Sequence, residues 1–113
     1  MSDGTTLRRL ALALDGVSAA PHFDRTAFKV KRTFATLAAD GLSANFKFSP
    51  DEQALKCAIL SRAFAPVANA WGLQGWTVGI LAELNEADLA DALEMAWRHA
   101  LPAPRMRASR PRS

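Results

Sequence analysis

Apolar residues recur along this chain with two different periods, and the changes of period mark out its elements. Leu7, Leu10, Ala11 and Leu14 lie three or four residues apart after Thr5-Thr6, with Arg8, Arg9 and Asp15 off that face and Gly16 following as a stop. A short first helix is expected there. Ser18 to Arg25, interrupted by Pro21, reads as a connection in which His22 and Phe23 begin a strand or pack across the next one. From Thr26 the period becomes two: Phe28 and Val30 alternate with Lys29 and Lys31, and Thr33 to Leu37 follows closely enough to pair back as a hairpin with Lys31-Arg32 at its tip. Asp40-Gly41 marks a second tight turn. Leu42, Ala44, Phe46 and Phe48 then alternate with Ser43, Asn45 and Lys47, the clearest half-buried strand in the chain.

Ser49-Pro50-Asp51-Glu52 has the form of a capping box with proline at the first helical position, so a second helix is expected from there to about residue 60 or 62, burying Leu55, Ala58 and Ile59. Phe64 to Ala70, with Pro66, reads as extended chain or a short edge strand. Trp76 to Leu81 reads as a central strand. Asn85 caps a last helix whose apolar face is Leu89, Leu93, Ala96, Trp97 and Ala100, and Pro102 and Pro104 end it. The expected fold class is α+β, an antiparallel sheet of about four to five strands packed against three helices in the order α-β-β-β-α-β-α.

Length and composition narrow this picture. A chain of 113 residues is expected to form one domain, residues 1–104, and to bury roughly two thirds of its unfolded surface. Half the residues are apolar, yet the apolar runs fall far short of the roughly 18 residues of a membrane span. Met1 to Gly4 leads into an arginine-bearing amphipathic pattern rather than a signal-peptide core, so a cytoplasmic, monomeric protein with no membrane partner is expected. The net charge of +3 needs dividing: Arg105, Arg107, Arg110 and Arg112 form a basic tail, 105–113, expected to be disordered. Removing those four of the 14 basic residues leaves ten against 11 acids in the body, which is therefore close to neutral.

Candidate chemistry is sparse. The single cysteine, Cys57, forms neither an internal disulfide nor a zinc site alone, and reads as a packed structural residue. His22 and His99 belong to no recognisable motif, and there is no nucleophile elbow, P-loop, dinucleotide fingerprint or histidine pair at zinc spacing. Glu86, Asp88, Asp91 and Glu94 lie early in the last helix and Arg98 and His99 late, as the helix dipole favours, which accounts for these carboxylates without a metal. No catalytic residue, cofactor or metal is expected, and the chain reads as a non-enzyme. Gly72-Leu73-Gln74-Gly75 matches the loop that clamps nucleotides in KH modules, but that loop joins two helices and this one precedes a strand.

The most distinctive stretch is Trp71-Gly72-Leu73-Gln74-Gly75-Trp76-Thr77, in which two tryptophans flank a pair of glycines. Together with Leu14-Asp15-Gly16-Val17, Phe28-Lys29-Val30, Thr33 to Leu37, Asp40-Gly41, Pro50 to Gln53 and the late Ala96-Trp97-Arg98, it resembles the MmcQ/YjbR family of small bacterial proteins over about residues 7–102. The resemblance implies a CyaY-like α+β fold and a DNA-binding role through comparison with a double-wing module. Asp15 stands where the family more often has proline, and Lys31-Arg32 replaces a tip that often contains glycine, making this hairpin more basic. Arg25, Lys29, Lys31, Arg32 and Lys47 fall in one stretch with only Asp24 and Asp40 as nearby acids, so they are the expected contacts to a DNA backbone. The alternative from the same residues is a protein- or small-ligand-interaction domain that uses the sheet face or a tryptophan-lined groove, with Trp71 the expected ligand contact.

Overall fold

The computed structural model describes residues 1–101; the basic tail and the prolines expected to end the last helix lie outside the described residues. Helix α1, Gly4–Leu12, begins where the Asp3 carboxylate accepts the Thr6 N–H at 2.9 Å, and it buries Leu7 and Ala11. That bond to the Thr6 amide also lowers the Asp3 carboxyl below its ordinary range. Strand β1, Ser18–His22, forms a hairpin with β2, Arg25–Lys29, through a turn at Phe23-Asp24. The connection expected at Ser18 to Arg25 is thus largely strand. Strands β3, Thr33–Ala38, and β4, Ser43–Lys47, continue the meander, and helix α2, Pro50–Ile59, follows with its capping box in place, Ser49 and Glu52 each bonding the other's backbone N–H. Next come β5, Phe64–Pro66, the short helix α3, Ala70–Leu73, then β6, Trp76–Ile80, a 3₁₀ turn at Leu81–Glu83 and helix α4, Glu86–Ala100.

All six strands join one antiparallel sheet in the order β1-β2-β3-β4-β6-β5. The fold class is α+β as expected, with six strands rather than four or five and four helices rather than three. The additions are β1 and α3, elements with weak periodicity, while β5 is the short edge strand, one of the two readings of Phe64 to Ala70. β1 is exposed on every residue because it is an edge strand with no helix over it, and β5 is three residues with Pro66 at an edge that needs no donor. α3 is a single turn of helix set inside the expected tryptophan and glycine turn.

Register decides which side chains share a face. Phe28, Ala35, Phe46 and Thr77 stand beside one another across four strands and are fully buried or nearly so, facing the layer formed by α1 and α4. Phe34, at a bulge opposite Phe28 and Lys29, joins the same core with Phe48, Phe64, Leu81, Leu89 and Leu93. Ala27, Thr36, Asn45, Val78 and Ala65 line up on the opposite side of the sheet. α1 and α4 leave that side open.

One element is oriented differently from its sequence pattern. Leu55 and Ile59 of α2 are 52% and 67% exposed and Ala58 is exposed too, while Lys56 is buried and Gln53, Cys57 and Leu60 are half-buried. The anchors of α2 are polar. The Gln53 amide donates to the carbonyls of Gly72 and Trp76, each at 3.0 Å, and Lys56 pairs with Asp91 of α4. These bonds, with the capping box, turn the apolar ridge of the helix away from the sheet. Cys57 packs against the core as expected, and burial raises its thiol above the ordinary range.

Candidate nucleic-acid interface

No strand of the sheet carries an aspartate or glutamate. The charged strand residues are Arg25, Lys29 and Lys47, and alternation puts all three on the open face with Thr36 and Asn45. A sheet face with only positive charge attracts a polyanion and repels a second basic edge. In the middle of that face lies a groove of about 330 Å³, lined by His22, Arg25, Thr33, Thr36, Asn45, Val67, Asn69, Trp71 and Trp76.

Each wall of the groove has a local cause. Trp71 is held at its rim by α3, whose start is capped by the Asn69 side chain accepting the Trp71 N–H at 2.9 Å. α3 lies so close to the preceding chain that a Cβ on Gly72 would stand 2.0 Å from the Val67 carbonyl oxygen. Gly75 closes the turn at φ +104°, where a Cβ would stand 1.9 Å from the Phe48 carbonyl oxygen. The two glycines therefore fit Trp71 and Trp76 to the sheet, leaving Trp71 58% exposed. Across the groove, Arg25 is fixed to β3: its Nε donates to Thr36 Oγ1 at 2.8 Å and Nη2 to the Thr36 carbonyl at 3.2 Å. His22 sits against the ring of Phe23, which holds φ +57° at the hairpin tip and is 94% exposed.

A second hollow of about 190 Å³ adjoins the groove, sharing Thr33 and Trp76 with it and adding Arg32, Lys47, His99 and Ala100. Lys47 Nζ donates to the carbonyls of Gln74, at 2.7 Å, and Phe48, at 3.2 Å, tying β4 to the tryptophan and glycine turn. Burial lowers the Lys47 ammonium from its ordinary value and the Arg32 charge adds to this, with Glu52 acting in the opposite direction. Arg32 donates from Nη2 to the His99 carbonyl near the end of α4, at 3.2 Å.

The residues expected to grip DNA as one set are thus divided. Arg25 and Trp71 line the groove, Arg32 and Lys47 line the adjoining hollow while bonded to main-chain carbonyls, and Lys29 and Lys31 are exposed on and beside the hairpin. Thr36 and Asn45 were not singled out from the sequence, and Trp76 only as part of the tryptophan and glycine stretch, not as a contact. Their outward positions follow from the alternation that buries Ala35, Leu37, Ala44 and Phe46, but only the register brings them together.

The two histidines do not meet in one cleft. His22 lines the open-face groove, whose lining has no carboxylate, whereas His99 lines the adjoining hollow and also a cavity of about 400 Å³ between α2 and α4 with Glu52, Asp91, Glu94, Met95 and Arg98. The carboxylates there are engaged: Glu52 in the capping box, Asp91 with Lys56 and Glu94 with Arg98. Among the described residues no three His, Cys, Asp or Glu side chains group to hold a metal ion, and no helix is long and apolar enough to cross a membrane.

A family model described as YjbR matches residues 12–99, spanning every strand, α2, α3 and nearly all of α4, but only the last residue of α1. The chain belongs to the YjbR family. This YjbR-family chain is also similar to the crystal structure of Deinococcus radiodurans protein DR2400, a protein with the domain DUF419, at a TM-score of 0.71 and 19% identity over 85% of this chain and 76% of that one. That likeness is one of fold. No curated protein matches the sequence.

Proposed function

We propose that this chain is a non-catalytic nucleic-acid-binding module whose ligand is DNA, seated on the open face of the sheet. The observation that carries the reading is the segregation of charge: strands without a carboxylate present Arg25, Lys29 and Lys47 on one face, with Lys31 and Arg32 at the adjoining turn. Arg25 and Lys29 continue along β2 toward Thr33 and the hollow of Arg32 and Lys47, which is a path for a phosphate backbone rather than a single anion site. The resemblance drawn from the sequence motifs implies the same ligand class. A non-catalytic role is supported by the groove's lining, in which the one titratable base, His22, has no carboxylate or cysteine beside it.

Titrating a fluorescently labelled DNA at two salt concentrations tests this. Affinity is expected to fall steeply with salt, with a log-log slope of about −0.7 to −0.9 per phosphate contacted. Replacing Lys29 and Lys31 together by alanine should reduce that slope by about one per lysine in contact. Absence of binding at low salt, or binding indifferent to salt, overturns the proposal. One observation favours a second reading, a small aromatic ligand: the groove's volume sits at the low end of small-molecule sites and its surface is mostly apolar, with Trp71, Trp76 and Val67 in its wall. A change in tryptophan fluorescence with such a compound, and none with DNA, would select it.

A further inference from the structure

We propose that the groove is a seat for an unpaired base, so that the favoured ligand of the open face is single-stranded DNA rather than duplex. The inference rests on the nucleic-acid reading above and adds which form of nucleic acid the site accepts. Within a duplex each base is covered above and below by its neighbours and its pairing edge is occupied, so a tryptophan face has no base plane to meet. An unpaired strand exposes both. Trp71 is a large apolar side chain more than half exposed at the rim, held there by the Asn69 cap and by the close fit of Gly72 against Val67. Ring faces fixed in this way are stacking platforms for bases of any sequence.

The rest of the site supplies what a nucleotide carries besides its ring. Asn45, half-buried on β4 in the middle of the sheet, brings an amide with both donor and acceptor, the pair that matches a base edge. Arg25 is held flat against β3 by two bonds to Thr36, a guanidinium already ordered before a ligand arrives. Trp76 and Thr33 form the shared border between the groove and the hollow of Arg32 and Lys47. An aromatic slot therefore lies directly beside a basic one, the alternation of base seat and phosphate seat that a single strand presents. The groove's 330 Å³ admits a base with its sugar and is far too small to receive a stacked duplex end.

The test compares a labelled oligothymidine with a duplex of the same length by fluorescence anisotropy on the full chain at low salt. The strand is expected to bind at least about tenfold more tightly than the duplex. Trp71→Ala should weaken strand binding about tenfold or more, and weaken it by a larger factor than duplex binding, whereas Trp71→Phe should keep most of it, since the platform survives. Because Trp71 is exposed, the variants should fold, which circular dichroism checks. Duplex binding equal to or tighter than strand binding, or strand affinity unmoved by Trp71→Ala, overturns the base seat and leaves the nucleic-acid reading standing. No binding of either form overturns both.

Discussion

Gly75 shows how little of the tryptophan and glycine stretch concerns flexibility. Its φ of +104° and the Phe48 carbonyl beside it mean that any side chain must both strain the backbone and push the β4 end away. Gly16 provides the comparison, since it also has positive φ, +77°, but has only a Val30 methyl at ordinary contact distance. Gly75→Ala is expected to destabilise the fold by at least about 2 kcal/mol, and Gly16→Ala by roughly 1 kcal/mol from backbone strain alone. Thermal melts of the two variants measure the difference; equal losses would mean that the close approach at Gly75 is relieved by relaxation. The same geometry explains why Trp71 stands exposed. Its neighbours are chosen for fit, and its own ring is left for solvent or ligand.

At the scale of elements, α2 is the clearest departure from hydrophobic patterning. Its apolar ridge faces outward because the helix is anchored by hydrogen bonds at Gln53 and an ion pair at Lys56, neither of which a hydrophobicity period registers. The expected consequence inverts the usual rule. Replacing Leu55 and Ile59 by serine should change stability by no more than about 0.5 kcal/mol each, while Gln53→Ala should cost about 1–3 kcal/mol by leaving two main-chain carbonyls without their donor. Denaturant titrations of the variants decide it, and a larger loss at Leu55 than at Gln53 would refute the anchoring argument. Strand β1 and the turn after it are the opposite case. They are exposed throughout, so their residues, Phe23 above all, contribute little to the core and remain available at the surface.

For the whole molecule, the decisive property is that the sheet separates two environments. α1 and α4 cover one side, with the acids of the described residues on helices and turns, while the other side is open and its strands bear only positive charge. Ligand contacts should therefore be confined to one side. In an NMR titration with DNA, amide shifts are expected to move on β2, β3, β4, β6 and α3, and to stay in place on α1 and the first turns of α4. Shifts centred instead on the cavity between α2 and α4 would place the ligand on the wrong face. The near-neutral body makes the point that net charge is a poor guide: what matters to a polyanion is that the charges are sorted by face.

The sequence by itself determined the α+β class, both main-layer helices, the meander of β2 to β4, the α2 cap and the family. Each of these is local, resting on a hydrophobic period, a capping residue or a short motif. It also exposed Trp71 and the basic residues as candidates. Tertiary structure decided the rest. Edge strands β1 and β5 exist because a neighbour supplies their hydrogen bonds, so their own residues carry little period. The outward ridge of α2 was set by bonds to residues 19 to 35 positions away. The groove itself is a product of register: Thr36, Asn45, Trp76 and Trp71 come from separate segments, and only the pairing of β3, β4 and β6 places them around one space. A period names the face of a strand. It does not say which strand lies beside it.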